Sequence, residues 1–178
     1  RYGEEVAGGA EALCRDTARA FAARGHDVRV LTTTSRDYVP WTPYFSPGVS
    51  DDHGVQVERF DFTPSDSVAA ARHANRIALG WGDWESEAQW VQAQGPVSRS
   101  LLARLAVVAL RVEGVALWTY LYATTQLAMP LVAGRGVLVP AAHNEPMFRF
   151  AVTRGVVALA GGFAYLTPEE RALVRHTH

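Results

Sequence analysis

Residues 114–167 read GVALWTYLYATTQLAMPLVAGRGVLVPAAHNEPMFRFAVTRGVVALAGGFAYLT. Within them lie three short apolar runs, GVALWTYLY (114–122), GVLVPAAH (136–143) and GGFAYLT (161–167), each opened by glycine and separated by an insert long enough for a helix. Parallel strands covered on both faces are continuous apolar runs without alternation, and helices usually connect them. The three runs are therefore expected as buried parallel strands of an α/β fold. Gly114 to Gly134 is uncharged and of the length that spans a bilayer. Thr119, Thr124, Thr125, Gln126 and Pro130, with two tyrosines, interrupt it, and the stretch reads instead as a strand, a polar turn and a short helix.

Downstream, Thr167-Pro168-Glu169-Glu170 matches a capping box: Thr167 as N-cap, Pro168 at the first helical position and Glu170 reaching back. Upstream, three helical pieces are expected, Asp66 to Leu79, Asp83 to Gln94 and Ser98 to Arg111, punctuated by Gly80, Gly82 and Gly95-Pro96. GVQVERFDF (54–62) alternates as a short strand. Before it, Ser35 to His53 holds Pro40, Pro43, Pro47 and Gly48 among Trp41, Tyr44 and Phe45, which predicts a long ordered loop with aromatic anchors. Gly9 to Arg24 places Ala10, Leu13, Thr17, Ala20 and Phe21 on one helical face, Gly25 stops that helix, and HDVRVLTTT (26–34) has the β-branched character of a strand. The sum is a Rossmann-like, doubly wound parallel sheet of about five strands. In such folds a strand leads into the first helix. Arg1 to Ala7 supply none, so a first strand is expected to lie outside residues 1–178, a single domain truncated at both ends.

The chain has 178 residues and a net charge of -1, with every one of its 17 cations an arginine. No basic tract is present, and phosphate neutralisation needs clustered cations, so nucleic acid is not an expected partner. One cysteine, Cys14, forms neither an internal disulfide nor a cysteine metal site, and mid-helix it is expected as a buried, inert thiol. RYGEE at the start has no leader character, and a cytoplasmic location is the default expectation. His26, placed after the helix-ending Gly25, is expected to pack at that turn. His53 and His73 lack partners at ligand spacing, while His176 and His178 are expected on a frayed end, so no metal site is expected.

Three segments carry candidate chemistry. AGGAE (7–11) opens the first helix, where unpaired amides and the positive dipole end meet Gly8 and Gly9; a phosphate or sugar can approach the backbone there, and a turn needed only for packing is the equal alternative. PAAHNEP (140–146) follows an apolar run, at the carboxyl end of a strand where ligands of open α/β sheets bind. His143 can exchange a proton or hydrogen bond with a substrate hydroxyl, Glu145 can accept one, and Asn144 can do either; the alternative is that His143 and Asn144 cap a helix beginning near Pro146. In WTYLYATT (118–125), Tyr120 and Tyr122 are candidates to line the same crevice, as aromatic platforms for sugar rings or as core residues.

Taken in order, AGGAEALCRDTARAFAARGHDVRVLTT, TYLYATT, VLVPAAHNEP and YLTPEERALV resemble the N-terminal domain of family 4 (group 1) retaining glycosyltransferases of the GT-B architecture. The resemblance covers most of the chain and is weakest in the middle helices. It implies one of two Rossmann-like domains that together transfer a sugar from a nucleotide-sugar to a sugar or lipid-linked acceptor, with retention and without a metal cofactor. It also implies that Gly8 and Gly9 approach the donor phosphates and acceptor, and that His143 sits at the edge of the donor-sugar pocket as the catalytic contact. Glu145 would hold that turn or contact acceptor hydroxyls, and Tyr120 and Asn144 remain donor- or acceptor-binding candidates from their position. The family's nucleotide site and its paired-Glu motif belong to a C-terminal domain not expected within 1–178, so these residues alone are expected to be inactive. A non-catalytic Rossmann-like binding module, or one subunit of a split glycosyltransferase, is the alternative. Contact with a membrane through a lipid acceptor has no amphipathic basic stretch to support it.

Overall fold

Polar residues that accept backbone N–H bonds start most of the helices. A computed structural model describes residues 1–38 and 41–178; Pro40 of the expected aromatic loop lies outside them. Asp66, Asp83 and Ser98 each accept the N–H three residues ahead and open α2 (Ser67–Ala78), α3 (Trp84–Gln94) and α4 (Arg99–Val108). Thr167 does the same for α7 (Pro168–Thr177). The remaining helices are α1 (Gly9–Ala23), α5 (Ala123–Ala128) and α6 (Ala151–Leu159). No helix among the described residues is long and apolar enough to cross a membrane.

The architecture is α/β, with parallel strands in both of its sheets. β1 (Val28–Thr33) pairs in parallel with β3 (Val55–Phe60), which pairs antiparallel with β2 (Gly48–Asp52). The three apolar runs form β4 (Val115–Trp118), β5 (Gly136–Val139) and β6 (Gly162–Phe163), parallel throughout and in that order. Leu117 lies opposite Leu138, and Leu138 opposite Phe163.

Three expectations about these elements are corrected. The segment 35–53 is not loop to its end: 48–52 is strand β2, joined to β3 by the turn His53-Gly54, with both residues at positive φ, 53° and 84°. Two successive left-handed residues match the twist of a tight hairpin. GVSDD lacks an apolar alternation because β2 is an exposed edge strand. The buried face of α1 is Cys14, Ala18 and Ala22, which pack on Val28, Val30, Val55 and Val57, whereas Leu13 and Phe21 are exposed. Small side chains on that stripe let the helix lie close to the sheet. Finally, the described strands number six, in two sheets of three rather than one continuous sheet.

The two sheets share a core. Leu31 of β1 packs with Leu117 and Leu138 of the second sheet, together with Leu105 and Ala109 from the α4 side and Met129, Val132 and Val156. An ion pair supports this junction. Glu58 of β3, buried, accepts from Arg104 of α4 at 2.7 and 2.9 Å and lies 3.1 Å from Arg29 of β1. The bidentate geometry holds its carboxyl below the usual range, despite the opposing cost of burial. Trp41, 2% exposed, anchors the loop after β1 by donating its indole N–H to the carbonyl of Gln94 at 3.1 Å.

At the C-terminal end, His178 is held rather than frayed: a ring N–H donates to the carbonyl of Phe148 at 2.8 Å, with the ring edge-on to that phenyl. His26 packs edge-on against Phe21, at the turn where it was expected.

Candidate functional site

The carboxyl ends of β4 and β5 deliver Tyr120, Tyr122, His143, Asn144 and Glu145, while Gly8 and Gly9 lie at the entry to α1. Ala141 sits at φ 49°, a conformation that L-residues adopt rarely and that is retained only where the surroundings enforce it. The enforcement comes from α7: Glu170 accepts the N–H of Ala142 at 2.7 Å through one oxygen and that of Leu166 at 2.6 Å through the other. Glu170 thus reaches one residue further back than the expected capping box, and a buried carboxylate joins the exits of β5 and β6. Pro140 also accepts the N–H of Tyr120 at 3.1 Å, which ties in the exit of β4.

His143 and Asn144 are exposed on this turn. Neither caps a helix: the segment after them is a 3-10 turn, Pro146–Arg149, with Glu145 at the N-cap position and no side-chain cap bond. Asn144 accepts from Arg149 at 2.6 Å. Glu145 accepts the hydroxyl proton of Tyr120. Tyr120 is 1% exposed, its ring packs edge-on against Phe148 at 5.0 Å, and burial, followed by the bond to Glu145, pushes its phenol well above the ordinary value. It therefore stays protonated as a donor and has no free face on which a sugar could stack. Its contribution is to fix the Glu145 carboxylate.

The open aromatic surface belongs instead to Tyr38 and Tyr122. Tyr122 is half-buried, 5.0 Å from Trp41 and 5.7 Å from Tyr38 between ring centroids, and Tyr38 is 46% exposed. Burial raises the Tyr122 phenol to about 12. Tyr38 reaches this group from the loop after β1, whose expected aromatic anchors were Trp41, Tyr44 and Phe45 and not Tyr38.

At the entry to α1, Gly8 and Gly9 are both exposed but play different parts. Gly8 has φ 137°, and a Cβ there would lie 2.1 Å from Oε2 of Glu11. That carboxylate curls back to pair with Arg1, whose guanidinium carbon sits 5.7 and 5.8 Å from the ring centroids of Tyr38 and Trp41. A Cβ on Gly9 would meet nothing within 4 Å. Gly8 is thus favoured by its backbone angle, with the movable end of the Glu11 side chain against it, while Gly9 faces open space. A chain of contacts runs from Gly8 through Glu11 and Arg1 to Tyr38, Trp41 and Tyr122; two residues before Tyr122, Tyr120 holds Glu145.

One cluster escaped the sequence. The hairpin turn brings His53 beside Asp52 and Glu4, with candidate ligand atoms within 4.8 Å of one another, at a cavity of about 320 Å³. Arg19 already bonds both carboxylates, at 3.0 Å to Glu4 and in a two-pronged pair with Asp52, and Tyr2 donates to Asp52 at 2.8 Å. These oxygens neutralise a guanidinium, and Asp52 is held below the usual carboxylate range first by Arg19. Cys14 is half-buried, and burial pushes its thiol up to about 11.

Compared with known proteins, the chain matches no protein-family model, no curated protein and no solved structure.

Proposed function

We propose that residues 1–178 form the Rossmann-like, acceptor-side half of a retaining glycosyltransferase of the GT-B kind. The reading rests on the order of the motifs and, above all, on one observation: an exposed imidazole, His143, on a turn at the carboxyl end of a parallel strand, held from behind by the buried Glu170. A group that must stabilise developing charge works best when its support is already in place and needs no reorganisation. His143 then donates a hydrogen bond to the transferring sugar, and that bond strengthens as the nucleoside diphosphate departs. Glu145, fixed by Tyr120, offers its second oxygen to an acceptor hydroxyl, and Gly9 lets the acceptor approach the amides that open α1. Tyr38 and Tyr122 supply the ring platform that Tyr120 does not. The donor nucleotide belongs to a second lobe, so 1–178 by itself turns over no nucleotide-sugar.

The test has two arms. NMR titration of 1–178 with a panel of mono- and disaccharides is expected to shift the His143 imidazole resonances. In the protein that joins this domain to its nucleotide-sugar lobe, His143→Ala is expected to lower metal-free nucleotide-sugar turnover at least about tenfold, a small part of what positioned groups contribute, with melting unchanged. Wild-type turnover in that variant overturns the role of His143. Sugar binding without any turnover favours the non-catalytic module.

A further inference from the structure

The connection between α2 and α3 carries three large apolar side chains that no other described residue covers. Leu79 is 65% exposed, Trp81 69% and Trp84 83%, all within six residues. The turn itself is ordered: Gly80 and Trp81 donate to the carbonyls of Ile77 and Arg76, Arg76 returns its Nε–H to the carbonyl of Trp81 at 3.0 Å, and Asp83 caps α3. The indoles are therefore held outward by hydrogen bonds that a collapsed turn would lose, at the free tip of a helical hairpin rather than in a groove.

The charges around the tip are sorted. Asp83 is turned into α3, where it accepts from the N–H and hydroxyl of Ser86 at 2.7 and 2.6 Å, and Glu85 accepts from Gln89 at 3.1 Å. On α2, Arg72, Asn75 and Arg76 are exposed at helical spacing, one and two turns behind Leu79. Indole and leucine at a projecting end, with arginines one and two helical turns behind Leu79, match the layering of a bilayer surface: an acyl boundary that takes the apolar tip, then phosphates that take the arginines.

We infer that the α2–α3 tip is a membrane-docking element that inserts Leu79, Trp81 and Trp84 into the interface of a phospholipid bilayer, with Arg72 and Arg76 on the headgroup phosphates. This is independent of any sugar-transfer role of the crevice. Residues 1–178 are mixed with phosphatidylcholine vesicles, with and without phosphatidylglycerol, and followed by co-sedimentation and by quenching of indole fluorescence with brominated acyl chains. Wild type is expected to partition onto both, more strongly onto the anionic ones, with its indoles quenched. The double variant Trp81→Ala/Trp84→Ala, which keeps the fold because both side chains are exposed, is expected to lose at least about tenfold in partitioning, as removal of two interfacial anchors should. Arg72→Gln is expected to erase the preference for anionic vesicles. A wild-type chain that stays in the supernatant, or a double variant that partitions and quenches like wild type while circular dichroism shows it folded, overturns the inference.

Discussion

The carboxylate of Glu170, in the first turn of α7, accepts the backbone N–H of Ala142, 28 residues earlier in the chain, at 2.7 Å. The same side chain also holds Leu166, so one buried acid ties together the loops that leave β5 and β6. Both of its oxygens are satisfied by backbone donors, as buried polar groups require.

Replacing Glu170 by Ala strands two N–H groups, each worth about 1–3 kcal/mol when left unpaired in the interior. We expect Glu170→Ala to lose roughly 3 kcal/mol in urea unfolding, with faster hydrogen exchange at the Ala142 amide. A variant with wild-type stability and exchange would show that Ala141 keeps its left-handed conformation without the clamp.

The two glycines at the start of α1 separate in a direct comparison. Gly8→Ala forces a Cβ onto the Glu11 carboxylate at a backbone angle that disfavours it, and is expected to cost about 1–3 kcal/mol. Gly9→Ala enters open space within a helix and is expected to be neutral or stabilising by up to about 1 kcal/mol. Equal effects in thermal melts would contradict the different surroundings described for them.

Cys14 is expected to react sluggishly. With its thiol near 11, only about one molecule in a thousand carries thiolate at pH 8. Ellman's reagent should modify the native chain far more slowly than the urea-unfolded chain. A native rate equal to the unfolded one would mean that the thiol is not packed against β1 and β3.

Acid is expected to destabilise the protein through Asp52 and Glu58. The fold keeps both carboxyls below their ordinary values of 3.8 and 4.5, each chiefly through an arginine, Arg19 for Asp52 and Arg104 for Glu58. In acid the unfolded chain therefore binds more protons than the native one. The contribution is complete above the unfolded values and is lost as pH falls through the lower, folded ones. Urea midpoints should be flat near neutrality and drop in that acid window, and Glu58→Gln should flatten the drop. An unchanged acid profile in Glu58→Gln would remove the pair from this account.

Particular residues show how far the sequence could be read. Asp66, Asp83, Ser98 and Thr167 marked four helix starts because a capping bond spans only three residues. The His143 turn was legible from its position after GVLV. Tyr120 was expected either to line a crevice or to be core; that it is a buried donor depends on Phe148 and Glu145 folding over it, which no local pattern shows. Tyr38 and Glu170 were not legible as parts of the site at all, and Glu11 only as a member of AGGAE without its pairing to Arg1. Their partners lie on other elements, and no local pattern encodes them.

Taken by itself, the sequence determined the α/β class, the helix starts, the apolar strands β4 to β6 and the turns between them, because caps, periodicity and β-branched runs act over a few residues. Only the tertiary structure decided that α1 turns Cys14, Ala18 and Ala22 inward rather than Leu13 and Phe21, that polar GVSDD becomes an edge strand, and that the strands divide into two sheets. Those outcomes depend on which surfaces compete for the same buried volume, and that competition is resolved between residues far apart in the chain.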